Sequence, residues 1–125
     1  MQLNRLLAVF HRITGWGILA YIVFHVVYIH QISFGAGAWA GALELDQNIL
    51  VRVVLVLVDV ALLFHALNGV RIIMVEWGIL LPAKVRPPEL TSKPWHHDKR
   101  HRAYILFMGV IGTLMTVFFV IQYLL

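Results

Sequence analysis

Cysteine is absent from the 125 residues, which excludes disulfides, iron–sulfur ligation and thiol chemistry within this chain. Charge is scarce too. Asp, Glu, Lys and Arg make up 13% of the residues and hydrophobic types 61%, where a soluble domain carries about 25% charged residues. That balance belongs to a membrane protein. Proline is confined to one polar connection, at Pro82, Pro87, Pro88 and Pro94, so none interrupts an apolar stretch and helices there run unbroken. Internal repeats and low-complexity tracts are also missing, and the length suits one domain, residues 1–125, rather than two.

What remains is long apolar sequence. A bilayer core of ~30 Å takes about 20 apolar residues as a helix. Three stretches are long enough, at about 13–34, 49–81 and 103–125. In lipid only helices and closed barrels satisfy their own backbone, and strand-like alternation is not seen here. The predicted fold is therefore an all-α membrane protein with three transmembrane helices. The middle stretch exceeds one span and is expected to tilt or project. The first outlasts a signal-peptide core with no small-residue cleavage site after it, so the N-terminus is expected to be retained.

The connections differ in character. "GAGAWAGALELDQN" is short, glycine-rich and acidic, whereas the 82–102 loop, "PAKVRPPELTSKPWHHDKRHR", carries Lys84, Arg86, Lys93, Lys99, Arg100 and Arg102. Arg5 and Arg12 precede the first span on the same side. The positive-inside rule places the N-terminus and this loop in the cytoplasm and the C-terminus outside, in a multi-pass protein of the cell inner membrane. The basic loop serves topology, docks a cytoplasmic protein, or meets phospholipid headgroups.

Seven histidines are many for so apolar a chain. His96, His97 and His101 lie in the basic loop and receive no role from the sequence. Ionisable groups at membrane depth are costly and read as functional candidates. His11, Thr14, Tyr21, His25 and Tyr28 follow at intervals of 3, 7, 4 and 3, one stripe of the first helix. His30 lies off it, near the outer interface. On the middle helix Arg52 and Asp59 share a face; pairing with each other is taken first for them, proton traffic through Asp59 second. His65 occupies another face in "LFHALNGVR", with Gly69 one turn on, removing bulk beside an imidazole so that a flat ligand can approach. Asn68 and Arg71 follow. Trp16, Trp77 and Trp95 mark interfaces or a pocket rim.

Membrane histidines bond a neighbouring helix, relay protons, or ligate a metal or haem iron. Haem suits two histidines with small or aromatic neighbours and cations to one side. Its porphyrin needs an apolar slot, its iron imidazole, and its propionates cations such as Arg12 and Arg71. At ~1.5 Å per residue, His25 lies about 20 Å and His65 about 9 Å from the boundary marked by those arginines. One upright macrocycle needs axial ligands at nearly equal depth, so each histidine looks to another chain for its partner. A hetero-oligomer is expected.

"FHRITGW" and "LFHALNGVRIIMVEW" together resemble the cytochrome b membrane-anchor subunits of succinate dehydrogenase, within the succinate:quinone oxidoreductase superfamily. The first matches that family's "HR-[ST]-G" entrance to helix I, the second its "H-x-x-x-G-x-R" on helix II, and with the three-span layout the similarity covers essentially the whole chain. The resemblance implies a subunit outside the catalytic core that holds haem b and forms part of a quinone-reduction site. It also implies docking of an iron–sulfur subunit and a flavoprotein subunit, in a complex of the tricarboxylic acid cycle.

By the same resemblance His65 is the axial haem ligand, with the opposite ligand from a second membrane-anchor subunit. Arg12 and His11 lie near quinone and propionate, and Arg71 in the propionate region. Where well-known members carry a quinone-contacting serine this chain has Ala8, so Thr14 or another subunit is expected to substitute. His25 matches the helix I ligand of members with two haems, so the count is one or two. Expected partners are those three subunits and the lipid bilayer, with no nucleic acid. Two alternatives stand beside this reading: the anchor of a quinol:fumarate reductase, and a non-haem scaffold or transporter whose histidines bind metal or protons.

Overall fold

A computed structural model of the chain describes residues 2–80 and 99–125. Most of the basic loop, including Trp95, His96, His97, Lys84, Arg86, Lys93 and the four prolines, lies outside the described residues, as does Leu81. The described chain is helical, with no strand. Helix α1 spans Gln2–His30, a 3-10 turn Gln31–Phe34, α2 Ala36–Leu45, α3 Ile49–Glu76 and α4 Lys99–Leu124. Three of these, Leu3–Phe34 (α1 with its 3-10 turn), α3 and α4, are long and apolar enough to cross a membrane.

Each boundary has a local cause. The first helix starts at Gln2 rather than near residue 13, because "QLNRLLAVFHR" contains nothing that breaks a helix. It ends in the 3-10 turn, followed by Gly35 at φ +97°, a conformation suited to glycine. The segment expected to be a plain connection folds after Gly35 into the ten-residue α2, since alanine, leucine and glutamate favour helix. Asn48 then caps α3, its side chain accepting the Leu50 N–H at 2.8 Å.

The middle helix stops at Glu76, short of the expected residue 81. Gly78 takes φ +75°, the Ile79 N–H bonds to the Met74 carbonyl and the Gly78 N–H to that of Val75, both at 2.9 Å. That is a Schellman stop, with glycine where a Cβ would be strained.

Helix α3 is the middle member of the set, packed against α1 on one side and α4 on the other. The half-covered α1 positions along this packing include Asn4, Leu7, His11, Thr14, Ile18 and Tyr21, the three-and-four spacing of a helix seam. The chain buries little of its own apolar surface. Among the described residues the buried apolar side chains are Ala42, Val56, Leu80 and Met108, whereas Trp16, Phe24, Leu57 and Leu106 are among many exposed ones. In the spans those outward faces suit hydrocarbon or partner helices. The covered polar residues, Asn68, Arg71 and His101, gather at the end of the helices where α1 begins.

Candidate functional site

Two stretches with the same spacing meet across the α1–α3 seam: His11-x-x-x-Gly15 on α1 and His65-x-x-x-Gly69 on α3. The helices run antiparallel, so each histidine lies opposite the other helix's glycine. A Cβ built on Gly15 would stand 3.1 Å from His65 Cε1, and one on Gly69 3.5 Å from His11 Cε1. The glycine giving room beside His65 is therefore Gly15, while Gly69, expected to do so, faces His11. Between the glycines the two imidazoles stack, centroids 3.9 Å apart and planes 7° from parallel.

Hydrogen bonding breaks the symmetry of this pair. His65 Nδ1 lies 3.1 Å from the His11 carbonyl oxygen and 3.3 Å from Thr14 Oγ1. A carbonyl only accepts, so Nδ1 carries the hydrogen and donates it, which leaves the lone pair on Nε2. No hydrogen bond engages His65 Nε2 among the described residues. His11 Nδ1, by contrast, is buried with no hydrogen-bond partner. The Thr14 hydroxyl donates within α1, to the carbonyl of Phe10 at 2.8 Å or His11 at 3.1 Å. Phe10 and Phe64 meet edge to face close by, centroids 6.4 Å apart. Arg12, next to His11 in sequence, points off the seam and is exposed.

One turn beyond His65 the seam becomes a polar knot joining all three long helices. Arg71 is 5% exposed. Its Nε donates to Asn68 Oδ1 at 2.8 Å, and its Nη1 to Asn4 Oδ1 at 3.4 Å and His101 Nε2 at 3.1 Å. Asn68 Nδ2 reaches the Leu7 carbonyl at 3.4 Å, and the Tyr104 hydroxyl donates to the Leu67 carbonyl at 2.9 Å. Arg71, expected near a propionate, is thus turned inward onto neutral acceptors of its own chain. Asn4 and His101 gained no role from sequence, because both lie outside the apolar runs and only packing brings them to Arg71.

The opposite half is looser. His25 is exposed, and its Nδ1 lies 3.4 Å from the hydroxyl of Tyr21, one turn away on the same helix. The Tyr28 hydroxyl donates to Asp46 Oδ2 at 2.8 Å. Among the described residues the expected Arg52–Asp59 pair does not form: Arg52 Nε donates instead to the Asp46 carbonyl at 2.9 Å. Seven residues of helix separate Arg52 and Asp59 by about 10 Å along the axis, and the arginine turns outward to the helix end. Trp16 and Trp77 are three-quarters exposed, at 74% and 75%.

Comparison with known proteins joins these observations to a family. Residues 1–121 match the family model described as "Succinate dehydrogenase/Fumarate reductase transmembrane subunit". A Halobacterium salinarum protein named "Succinate dehydrogenase hydrophobic membrane anchor subunit" is 30% identical over 104 residues, which span 82% of this chain and 70% of that protein. No solved structure matches the chain.

Proposed function

We propose a specific role for this chain, which belongs to the succinate dehydrogenase/fumarate reductase transmembrane subunit family. It supplies His65 as one axial ligand of a b-type haem, contributes to a quinone-reduction site nearby, and docks the iron–sulfur and flavoprotein subunits on the membrane. A second membrane-anchor subunit supplies the opposite ligand.

The observation that carries the haem reading is the state of His65. With Nδ1–H donated to the His11 carbonyl, Nε2 presents a lone pair, and an N–H···O=C bond of this kind orients ligating histidines generally. Haem would suit such a donor: His65 would hold it from this chain, and an imidazole of a second chain would complete the site. A bare metal ion finds less here, for no three His, Asp or Glu side chains cluster among the described residues.

The haem, when bound, supplies one-electron transfer between the iron–sulfur subunit and quinone. This chain's residues hold and shape the site. The His11 carbonyl keeps a proton on His65 Nδ1 and so keeps Nε2 bare. Gly15 leaves room for the His65 ring and Gly69 for the His11 ring. Arg12, exposed one residue past His11, offers charge and donors to a quinone oxygen or a propionate. With Arg71 enclosed, Arg12 is the freer of the two expected cations. A second haem at His25 has weaker support, since among the described residues only Tyr21 of its own helix meets that ring. By the positive-inside rule Arg12 lies toward the cytoplasm, where docked subunits deliver electrons and protons. A fumarate reductase anchor would use the same groups in reverse, whereas the name of the halobacterial relative favours succinate oxidation.

The test is a reduced-minus-oxidised spectrum of the purified complex. A b-type alpha band is expected, absent in His65→Leu and retained in His25→Leu. An assembled His65→Leu complex with the full band would overturn the reading, and an intact complex with no haem absorbance would favour a scaffold.

A further inference from the structure

Ligation leaves one feature of the seam unexplained: a second imidazole lies flat on the first. The outer torsion of a histidine side chain has a broad, shallow preference. One hydrogen bond from Nδ1 fixes a direction but lets the ring rock about that line. A flat neighbour at van der Waals distance stops the rocking, and the His11 ring lies at that distance, 3.9 Å between centroids and 7° from parallel. The neighbour is itself seated, over Gly69, and Gly15 bounds the Cε1 edge of His65. Among the described residues no hydrogen bond to Nδ1 explains where the His11 ring sits, because that atom is buried without a partner there. Packing against His65 and Gly69 does.

We propose that His11 is a positioning residue whose ring, held over Gly69, sets the plane of the His65 imidazole toward the haem iron by face-to-face contact. This rests on the haem reading above. The His11 backbone carbonyl, which holds the Nδ1 proton, survives any side-chain substitution, so variants at position 11 read the ring alone.

The experiment uses the intact complex in its membrane. His11→Phe keeps a flat face, His11→Leu fills much of the volume without one, and His11→Ala removes both. The readouts are haem per complex and the low-field g value of the oxidised low-spin haem, which depends on the planes of its two axial imidazoles. His11→Phe is expected to keep the parent g value. His11→Leu and His11→Ala are expected to shift it and to weaken haem retention about tenfold or more, as loss of a support behind a metal ligand does.

Parent-like spectra from Leu and Ala, or a Phe spectrum displaced as far as the Ala one, would overturn the proposal. So would failure of all three variants to assemble, which would make the ring a folding contact. His65→Leu in parallel separates the two claims. If it keeps its haem, the haem reading falls; if it loses haem while the position 11 variants are silent, only the positioning role falls.

Discussion

At one end of the α1–α3 seam His11 and His65 stack across helices; at the other, His25 meets Tyr21 of its own helix and no other ring or hydrogen-bond partner among the described residues. The arginines divide the same way. Arg71 is enclosed by groups from α1, α3 and α4, while Arg52 reaches one carbonyl at the edge of a connection. The residue types are alike, but the number of helices fixing each differs. A contact one turn away along a helix contributes about 0.2–0.5 kcal/mol and leaves the side chain free to reorient. A contact across helices ties a side chain to two backbones at once, and here each ring also sits against the other helix's glycine. A histidine at membrane depth is thus informative less by its presence than by what holds it.

The sharpest way to break this comparison is at the histidines. His65→Leu should abolish the b-type band and His25→Leu should leave it whole; equal losses would erase the distinction. Next come the arginines. Arg71→Leu removes the donors to Asn68 and His101, at about 1–3 kcal/mol for each buried acceptor left unsatisfied, whereas Arg52→Gln should stay within about 0.5 kcal/mol. Thermal unfolding of the purified complex compares them, and similar melting points would show the knot to be no stronger than the surface contact.

The glycines refine the contrast. Gly15→Ala sets a Cβ 3.1 Å from His65 Cε1 and should cost about 1–3 kcal/mol by overpacking. Gly17→Ala has nothing within 4 Å and should gain about 0.5–1 kcal/mol of helix stability. Opposite shifts in melting temperature are expected, and shifts of one sign would mean that the seam is not tight at His65. Away from the seam, Gly78→Ala should cost about 1 kcal/mol for a side chain in the left-handed region. A melting curve unchanged in that variant would show that the Schellman stop tolerates an alanine.

Much of the fold was legible in residue order. Three runs of apolar residues marked the membrane helices, and no proline or alternation pointed elsewhere. The ends were less so. The stretch between Gln2 and Arg12 favours helix but carries polar residues, so nothing in a hydropathy argument extends the first span to Asn4, the residue that reaches Arg71. The stop at Gly78 was hidden because the apolar residues continue through Leu81. At the site, His65, His11, Arg12, Thr14 and Arg71 were expected around one haem and quinone; the structure puts His65, His11 and Thr14 in contact, turns Arg12 outward and encloses Arg71. Pairing by spacing failed for Arg52 and Asp59, since sharing a face of one helix does not bring two side chains together.

Composition and order by themselves determined that the chain is helical, that it carries three stretches able to span a bilayer, and which family it joins, because apolar length and local motifs are properties of residues in sequence. Which glycine serves which histidine, why Arg71 is enclosed and Arg12 is not, and how His101 comes to a helix thirty residues away were decided by tertiary structure alone. Antiparallel packing brings together positions of opposite order on two chain segments, and no local rule sets the offset at which they meet.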